Sequence, residues 1–439
     1  MKKKPNVVLL TVDTLRADHL GCYGYHRDTS PYIDAFAQEG VLCEGMFCSA
    51  LPTQPSYTTL YTGQHAVRHG IVGHRSEAQL SPSTPVLPEL FLQAGYRTCA
   101  VDTLWMQKDW FGRGYEHYID PGAKRILSMT VPSEDLTARA VPWIRAHADE
   151  PFFLFMHYWD THAPYTPPKA YQKLFYQGDP FDPNNHSLDN AWHHPISRLI
   201  RDVLLRRSEG MVTDAEFVVS LYDQEVRHAD DGLGEVIGCI DELGLAEDTF
   251  ILIMGDHGES LSEHGIFFEH HGLYDCTLRI PFILRQPGTL PEGVRLPQMF
   301  ATHDIAPTVL EAAGIPIPSS MDGKSFWKSL TGAEQSAGRD KIYSVEGTIQ
   351  AKWSLRTLDH KFILSREQDF YGTPMRELYD LKADPGENHN IAAERPELAA
   401  QMEADLEGWI STRVKEAGRT VDPLIEQGIS FRDVLAIGE

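Results

Sequence analysis

The sequence predicts an α/β protein in which a large sheet, parallel in large part and covered by helices on both faces, is followed by a small α+β domain. Three observations carry this expectation. Short β-branched or aromatic runs, NVVLLTV, RTCAVDT, FFLFMHY and FILIMG, are bounded by turn residues and separated by helix-like stretches such as SPYIDAFAQEG. A chain of 439 residues that is 42% hydrophobic and 10% aromatic has material for one large core and a smaller one. After about residue 335 the texture changes to strand-like pieces with short loops, IYSVEG, AKWSLRTL, HKFILS and RELYDL, and then to the helical pattern ERPELAAQMEADLEGWISTRV. The expected domains are therefore residues 1–335 and 336–439.

The opening MKKKPNVVLLTVD imitates a signal peptide, but its apolar run covers only residues 7–12 and ends at an acid instead of a small-residue cleavage site. It reads as a buried first strand. No apolar segment approaches a membrane span, and six cysteines scattered from Cys22 to Cys276 show neither metal-type spacing nor a disulfide framework. A cytoplasmic protein without a membrane partner is expected. A formal charge of -23 and a pI near 5.3 argue against nucleic acid as a partner, since such binders neutralise phosphates with basic patches. Residues 166–212, rich in Pro, Asn, Asp and His before a basic helix, ISRLIRDVLLRR, read as an inserted lid or interface element. The tail VDPLIEQGISFRDVLAIGE is amphipathic enough to dock on its own domain or on a second subunit, and a homo-oligomer is the default expectation.

Chemistry-bearing residues collect at strand ends. NVVLLTV delivers Asp13 at its carboxyl end, and FILIMG delivers Asp256 and His257 at its own, where open α/β sheets bind ligands. Two acids and an imidazole suit a divalent cation, Mn or Zn foremost, with Mg and Ca as further candidates; polar capping of strand ends is the plainer alternative. In SALPTQPSYTTLYTG, Pro55 is placed to open a helix that stops at Gly63, which sets the Thr53 hydroxyl beside a helix N-terminus that favours anions. Such a hydroxyl is a poor nucleophile unless a base or metal activates it, and a simple helix cap is the other reading.

The stretches PNVVLLTVDTLRADHLGCYGY, TQPSYTTLYTG, ILIMGDHGESLSEHG, HDIAPTVLEAAGIPIP and ELYDLKADPGENHNIA resemble, in order and over nearly the whole chain, the landmarks of the type I sulfatase family within the alkaline phosphatase superfamily. The resemblance implies a large mixed sheet between helices with a metal site at its edge, then a small C-terminal domain with a short antiparallel sheet and a helix. It also exposes departures. Sulfatases carry C/S-x-P-x-R, whose first residue is oxidised to formylglycine; here those ends are Thr53 and Tyr57. Threonine would give a ketone, and the arginine is missing. The second acid of the family's Asp-Asp pair is Thr14, Asp102-Thr103-Leu104-Trp105 stands where Gly-Lys-Trp-His is common, and the lysine expected shortly before Pro281 is His270, followed by His271.

In MHYWDTHAPY, His162 matches the family histidine that contacts the sulfate or leaving group. Asp160, His162 and His270 or His271 could form a second metal site, and His162 or His270 could act as acid or base. Thr14, Tyr57, Thr103 and Trp105 are further candidates for the second metal or the substrate, while Trp105, Trp110 and Trp159 could wall the ester group. His65 and His69 match a family motif but read as structural, with Arg68 in support. A threonine nucleophile resembles the phosphate-handling branches, nucleotide pyrophosphatase/phosphodiesterases and phosphoethanolamine or phosphoglycerol transferases. The expected function is metal-dependent hydrolysis of a small phosphodiester or phosphonate monoester through phosphothreonine, with Asp13, Thr53, Asp256 and His257 on the metal. The rivals are a phosphoryl transferase, a sulfatase with an unmodified nucleophile, and an inactive binding protein.

Overall fold

The computed structural model describes residues 4–122, 131–192, 205–207, 210–334 and 338–433. The strands Asn6–Val12, Phe152–Tyr158 and Thr249–Gly255 are buried at every position, so they read as continuous apolar runs instead of alternating ones. They form the middle of a nine-stranded sheet. In spatial order its strands are Arg279–Ile280, Val41–Phe47, Phe282–Arg285, Thr249–Gly255, Asn6–Val12, Phe152–Tyr158, Arg97–Val101 and His117–Ile119, with Val294–Ala301 running along Val41–Phe47. Pairing is parallel from Thr249–Gly255 to His117–Ile119, and Phe282–Arg285 is antiparallel to both its neighbours, so the sheet is mixed. Register decides the site: Val12 sits opposite both Tyr158 and Gly255. The chain therefore leaves three adjacent strands at one edge, just before Asp13, Trp159 and Asp256.

The helix Ala215–Glu242 lies over one face and packs against Pro31–Gln38 and Ser133–Ala146. It is capped at its start by the Asp214 side chain, which accepts from the Glu216 N–H, and buries a long apolar stripe that includes Val218, Tyr222, Leu233 and Ile240. In a second sheet, Arg376–Asp380, His360–Ser365, Lys352–Arg356 and Ile342–Glu346 form an antiparallel meander. Its fifth strand is Ala50–Leu51, which pairs parallel to Val345 and Glu346. The helix Pro396–Glu416 covers this second sheet through Met402, Leu406 and Ile410, against Trp353, Phe362 and Leu378.

The expected junction at residues 335 and 336 lies outside the described residues, as do most of ISRLIRDVLLRR and the last six residues of the tail. Up to residue 433 the tail docks on its own chain: Ser430 N–H donates to Gly347 C=O and Phe431 N–H to Thr348 C=O. The six cysteines are free. Among the described residues no helix is long and apolar enough to cross a membrane.

Candidate active site

Asp13, Asp256 and His257 are fully buried, and each offers a ligand atom within 4.8 Å of the others'. One oxygen of each carboxylate is occupied: Asp13 Oδ2 lies 3.0 Å from His157 Nε2, and Asp256 Oδ1 accepts from the N–H groups of Thr14 (3.1 Å) and His257 (2.8 Å). The other oxygen of each, Asp13 Oδ1 and Asp256 Oδ2, is buried without a hydrogen-bond partner. The His257 Nδ1–H donates to the Gly258 carbonyl at 3.0 Å, which leaves the Nε2 lone pair 3.3 Å from Thr53 Oγ1 and 3.3 Å from Asp256 Oδ2. Two orphaned carboxylate oxygens facing an imidazole lone pair are costly in a protein interior unless a cation satisfies them.

The electrostatics agree. Burial and the nearby Asp13 carboxylate push Asp256 well above the usual carboxylate range. For Asp13 burial acts in the same direction, but the bond to His157 and the fields of His162 and His257 win and hold it low. Burial brings His257 down to about 4, so it is neutral and able to ligate at pH 7. Asp13, Asp256, His257 and the Thr53 hydroxyl thus fit a divalent cation.

Thr53 opens the helix Thr53–Thr62, two residues earlier than Pro55 predicts, after the N-cap Pro52. All ten of its residues are buried, and Gly63 ends it at a φ of 60°, which favours glycine. Its seat is fixed from two sides. The Ser56 hydroxyl donates to the Asp256 carbonyl at 2.8 Å, and the preceding Ala50–Leu51 is held in the second sheet. Tyr57 points into the core: its hydroxyl donates to Thr11 Oγ1 at 2.8 Å and its ring meets His157 edge-on at 4.9 Å. It supports the cluster from beneath.

A row of imidazoles runs out from the cluster. The His270 ring lies 5.0 Å from His257, 5.0 Å from His162 and 4.9 Å from His271. Burial and these neighbours hold His270 well below the usual range, hence neutral. His271 is tied elsewhere, with Nδ1 2.7 Å from Glu346 Oε1, and that carboxylate raises it against the effect of burial. Asp160 joins neither histidine. It converges instead with Glu225 and His228, so the second ligand set expected from Asp160, His162 and His270 or His271 is not the one assembled.

Thr14, at a φ of 51°, gives its N–H to Asp256 and its hydroxyl to the Thr161 carbonyl at 2.6 Å. Thr103 Oγ1 accepts from Trp159 Nε1 at 2.8 Å, and both residues are buried. Trp110 is buried with its Nε1–H on Thr58, whereas Trp105 is 48% exposed with its Nε1–H on Asp120. His65 packs among Trp353, Trp409 and His303, His69 Nε2 meets Thr59 Oγ1 at 3.0 Å, and Arg68 pairs with Asp322. The sequence reading missed His157, whose signal is its register opposite Thr11; Glu259, buried with Oε2 unpartnered and 3.6 Å from His270 Nδ1; Glu346; and His74, brought to about 3 by burial and the fields of His257 and His271.

A buried two-carboxylate, one-imidazole cluster beside a helix-N-terminal hydroxyl, at the carboxyl edge of this sheet, defines the class: a hydrolase of the alkaline phosphatase superfamily. The chain belongs to the sulfatase family, whose model, described as Sulfatase, matches residues 5–315; a second, N-sulphoglucosamine sulphohydrolase, C-terminal, matches residues 262–412. Among its relatives, N-acetylglucosamine-6-O-sulfatase of Bacteroides thetaiotaomicron is 23% identical over 89% of this chain and 83% of its own. The multifunctional alkaline phosphatase superfamily protein PehA of Trinickia caryophylli is 23% identical over 95% and 97%. In structure, the phosphonate monoester hydrolase of Agrobacterium radiobacter aligns with a TM-score of 0.72 at 21% identity, covering 94% of this chain and 96% of that one.

Proposed function

We propose that this protein is a divalent-metal-dependent hydrolase of phosphodiesters or phosphonate monoesters with Thr53 as nucleophile. The observation that carries the reading is an unmodified Thr53 hydroxyl 3.3 Å from His257 Nε2, at a position where the family's sulfatases use an oxidised residue. Asp13, Asp256, His257 and Thr53 would hold the cation, which supplies positive charge that lowers the hydroxyl pKa and offsets charge growing on a phosphoryl oxygen.

Thr53 Oγ1, its proton released to solvent, would attack phosphorus as the bond to the leaving alcohol breaks, with the N–H groups at the start of its helix facing the anion. His162, whose ring stands 5.0 Å from His270, would give the leaving oxygen its proton. The resulting phosphothreonine has no geminal hydroxyl through which to collapse, so water must attack phosphorus. His162, having given up its proton to the leaving oxygen, would take the proton of that water, with the His270 ring 5.0 Å away. The P–Oγ1 bond then breaks and Thr53 regains its hydroxyl by taking a proton from solvent.

The test compares kcat/KM for one aryl leaving group carried as phosphodiester, phosphonate monoester, phosphomonoester and sulfate, with Mn and Zn supplied in turn. A preference for the diester or phosphonate supports the reading. The names of the curated relatives favour a second reading, sulfate-ester hydrolysis, and a preference for sulfate would replace the first by it.

A further inference from the structure

Asp160, Glu225 and His228 are the other convergent ligand set among the described residues, with donor atoms within 4.8 Å of one another. All three are more than nine-tenths buried, at 6%, 6% and 5% exposure. Glu225 and His228 stand three residues apart on one face of the helix Ala215–Glu242, and Asp160 reaches them from the loop that follows Phe152–Tyr158.

The two ends of the His228 ring differ. Nε2 lies 2.6 Å from the exposed Glu134 carboxylate. Nδ1 faces inward, 2.6 Å from Asp160 Oδ1 but off the axis of a hydrogen bond, and 3.9 Å from Glu225 Oε2. Asp160 Oδ2 is likewise buried and unpartnered. These atoms line a cavity of about 60 Å³ bounded also by Trp159, His162, Pro164 and Thr166, roomy enough for an ion and a water. An imidazole fixed by a carboxylate on one nitrogen, with the other turned toward two more carboxylates, is the arrangement in which proteins orient metal-binding histidines.

We propose that Asp160, Glu225 and His228 form a second divalent-cation site, of Zn or Mn type, with Glu134 orienting His228. The ion clamps the loop that carries His162 onto the long helix, a task Glu225 shares by accepting the Thr166 N–H at 2.6 Å. Because the His162 ring stands 5.0 Å from His270, this clamp sets where the outer end of the imidazole row lies.

The test is Co²⁺ binding to chelated, dialysed protein, read by equilibrium dialysis and by visible d–d absorption, in wild type, Asp256→Asn, and Asp256→Asn/His228→Gln. The expected result is that Asp256→Asn still binds one Co²⁺ per chain with a carboxylate–imidazole spectrum, and that the double variant binds none. Glu225→Gln in the Asp256→Asn background replaces His228→Gln if the latter does not fold by circular dichroism. Folded Asp256→Asn protein that binds no Co²⁺, or a double variant that binds as much as Asp256→Asn, overturns the proposal. The readout is binding and not turnover, so it stands or falls independently of the Thr53 mechanism.

Discussion

Thr53→Ala should separate the chemistry from the fold. Thr53 is 1% exposed, yet its hydroxyl makes only a 3.3 Å approach to His257, long for a hydrogen bond, so losing it costs under about 1 kcal/mol. The missing methyl and the small void add about 1 kcal/mol, and the better helix preference of alanine returns a few tenths. The net loss of roughly 1 kcal/mol lowers Tm by about 1 °C in a chain of this size. Activity should respond on another scale. Removing a covalent nucleophile costs on the order of 10⁴-fold or more in kcat, or about 5.5 kcal/mol of transition-state stabilisation. Thr53→Ser keeps the hydroxyl and should retain most turnover. The assay is kcat/KM on an aryl phosphodiester at saturating metal alongside a thermal melt, with acid-quenched wild type searched for a phosphorylated Thr53 peptide. A Thr53→Ala protein with turnover within tenfold of wild type would refute the reasoning and make water the nucleophile.

Glu346 holds His271 at 2.7 Å and the Gly272 N–H at 2.9 Å from full burial, so Glu346→Ala should cost about 3–5 kcal/mol in a denaturant melt. Because Glu346 raises His271, that pairing stabilises fully below the unfolded pKa near 6.5 and is lost as pH rises through the folded value; the penalty should be larger at pH 6 than at pH 9. His65 has the opposite sign. Burial brings it to about 4, so between pH 6.5 and 4 the unfolded chain binds more protons, and acidification costs wild type up to about 1.4 kcal/mol per pH unit that His65→Gln does not lose, checked by melts at pH 6.5 and 5. Tyr57→Arg, which restores the family arginine, buries an unpaired charge against His157 and Phe155 and should cost about 3 kcal/mol or more, read from thermal melts.

What the sequence disclosed follows from how local the signal is. Asp13, Asp256 and His257 were legible because each follows directly on an apolar run that only a doubly covered strand explains, and neighbouring strands in register bring such positions together. His157 was hidden because it lies inside an apolar run, and its link to Asp13 exists only once Asn6–Val12 and Phe152–Tyr158 are known neighbours. Asp160 and His162 looked like one site because they are two residues apart. The backbone between them, at Thr161, takes a φ of 96° and anchors its hydroxyl on the Asp13 carbonyl. Asp160 meets the long helix while His162 meets His270.

The second sheet offers the least local case. Ala50–Leu51 is too short to carry a periodicity, so the sequence gives no sign that the residues before Thr53 belong to a strand. In the fold those two residues pair with Val345 and Glu346, and the Glu346 carboxylate reaches His271 beside the imidazole row. The strand Ile342–Glu346 thus fixes both the approach to Thr53 and a neighbour of His270. A shift of that strand would move Thr53 and His271 together, which is why the effect of Glu346→Ala on kcat should exceed what the loss of one histidine partner would give.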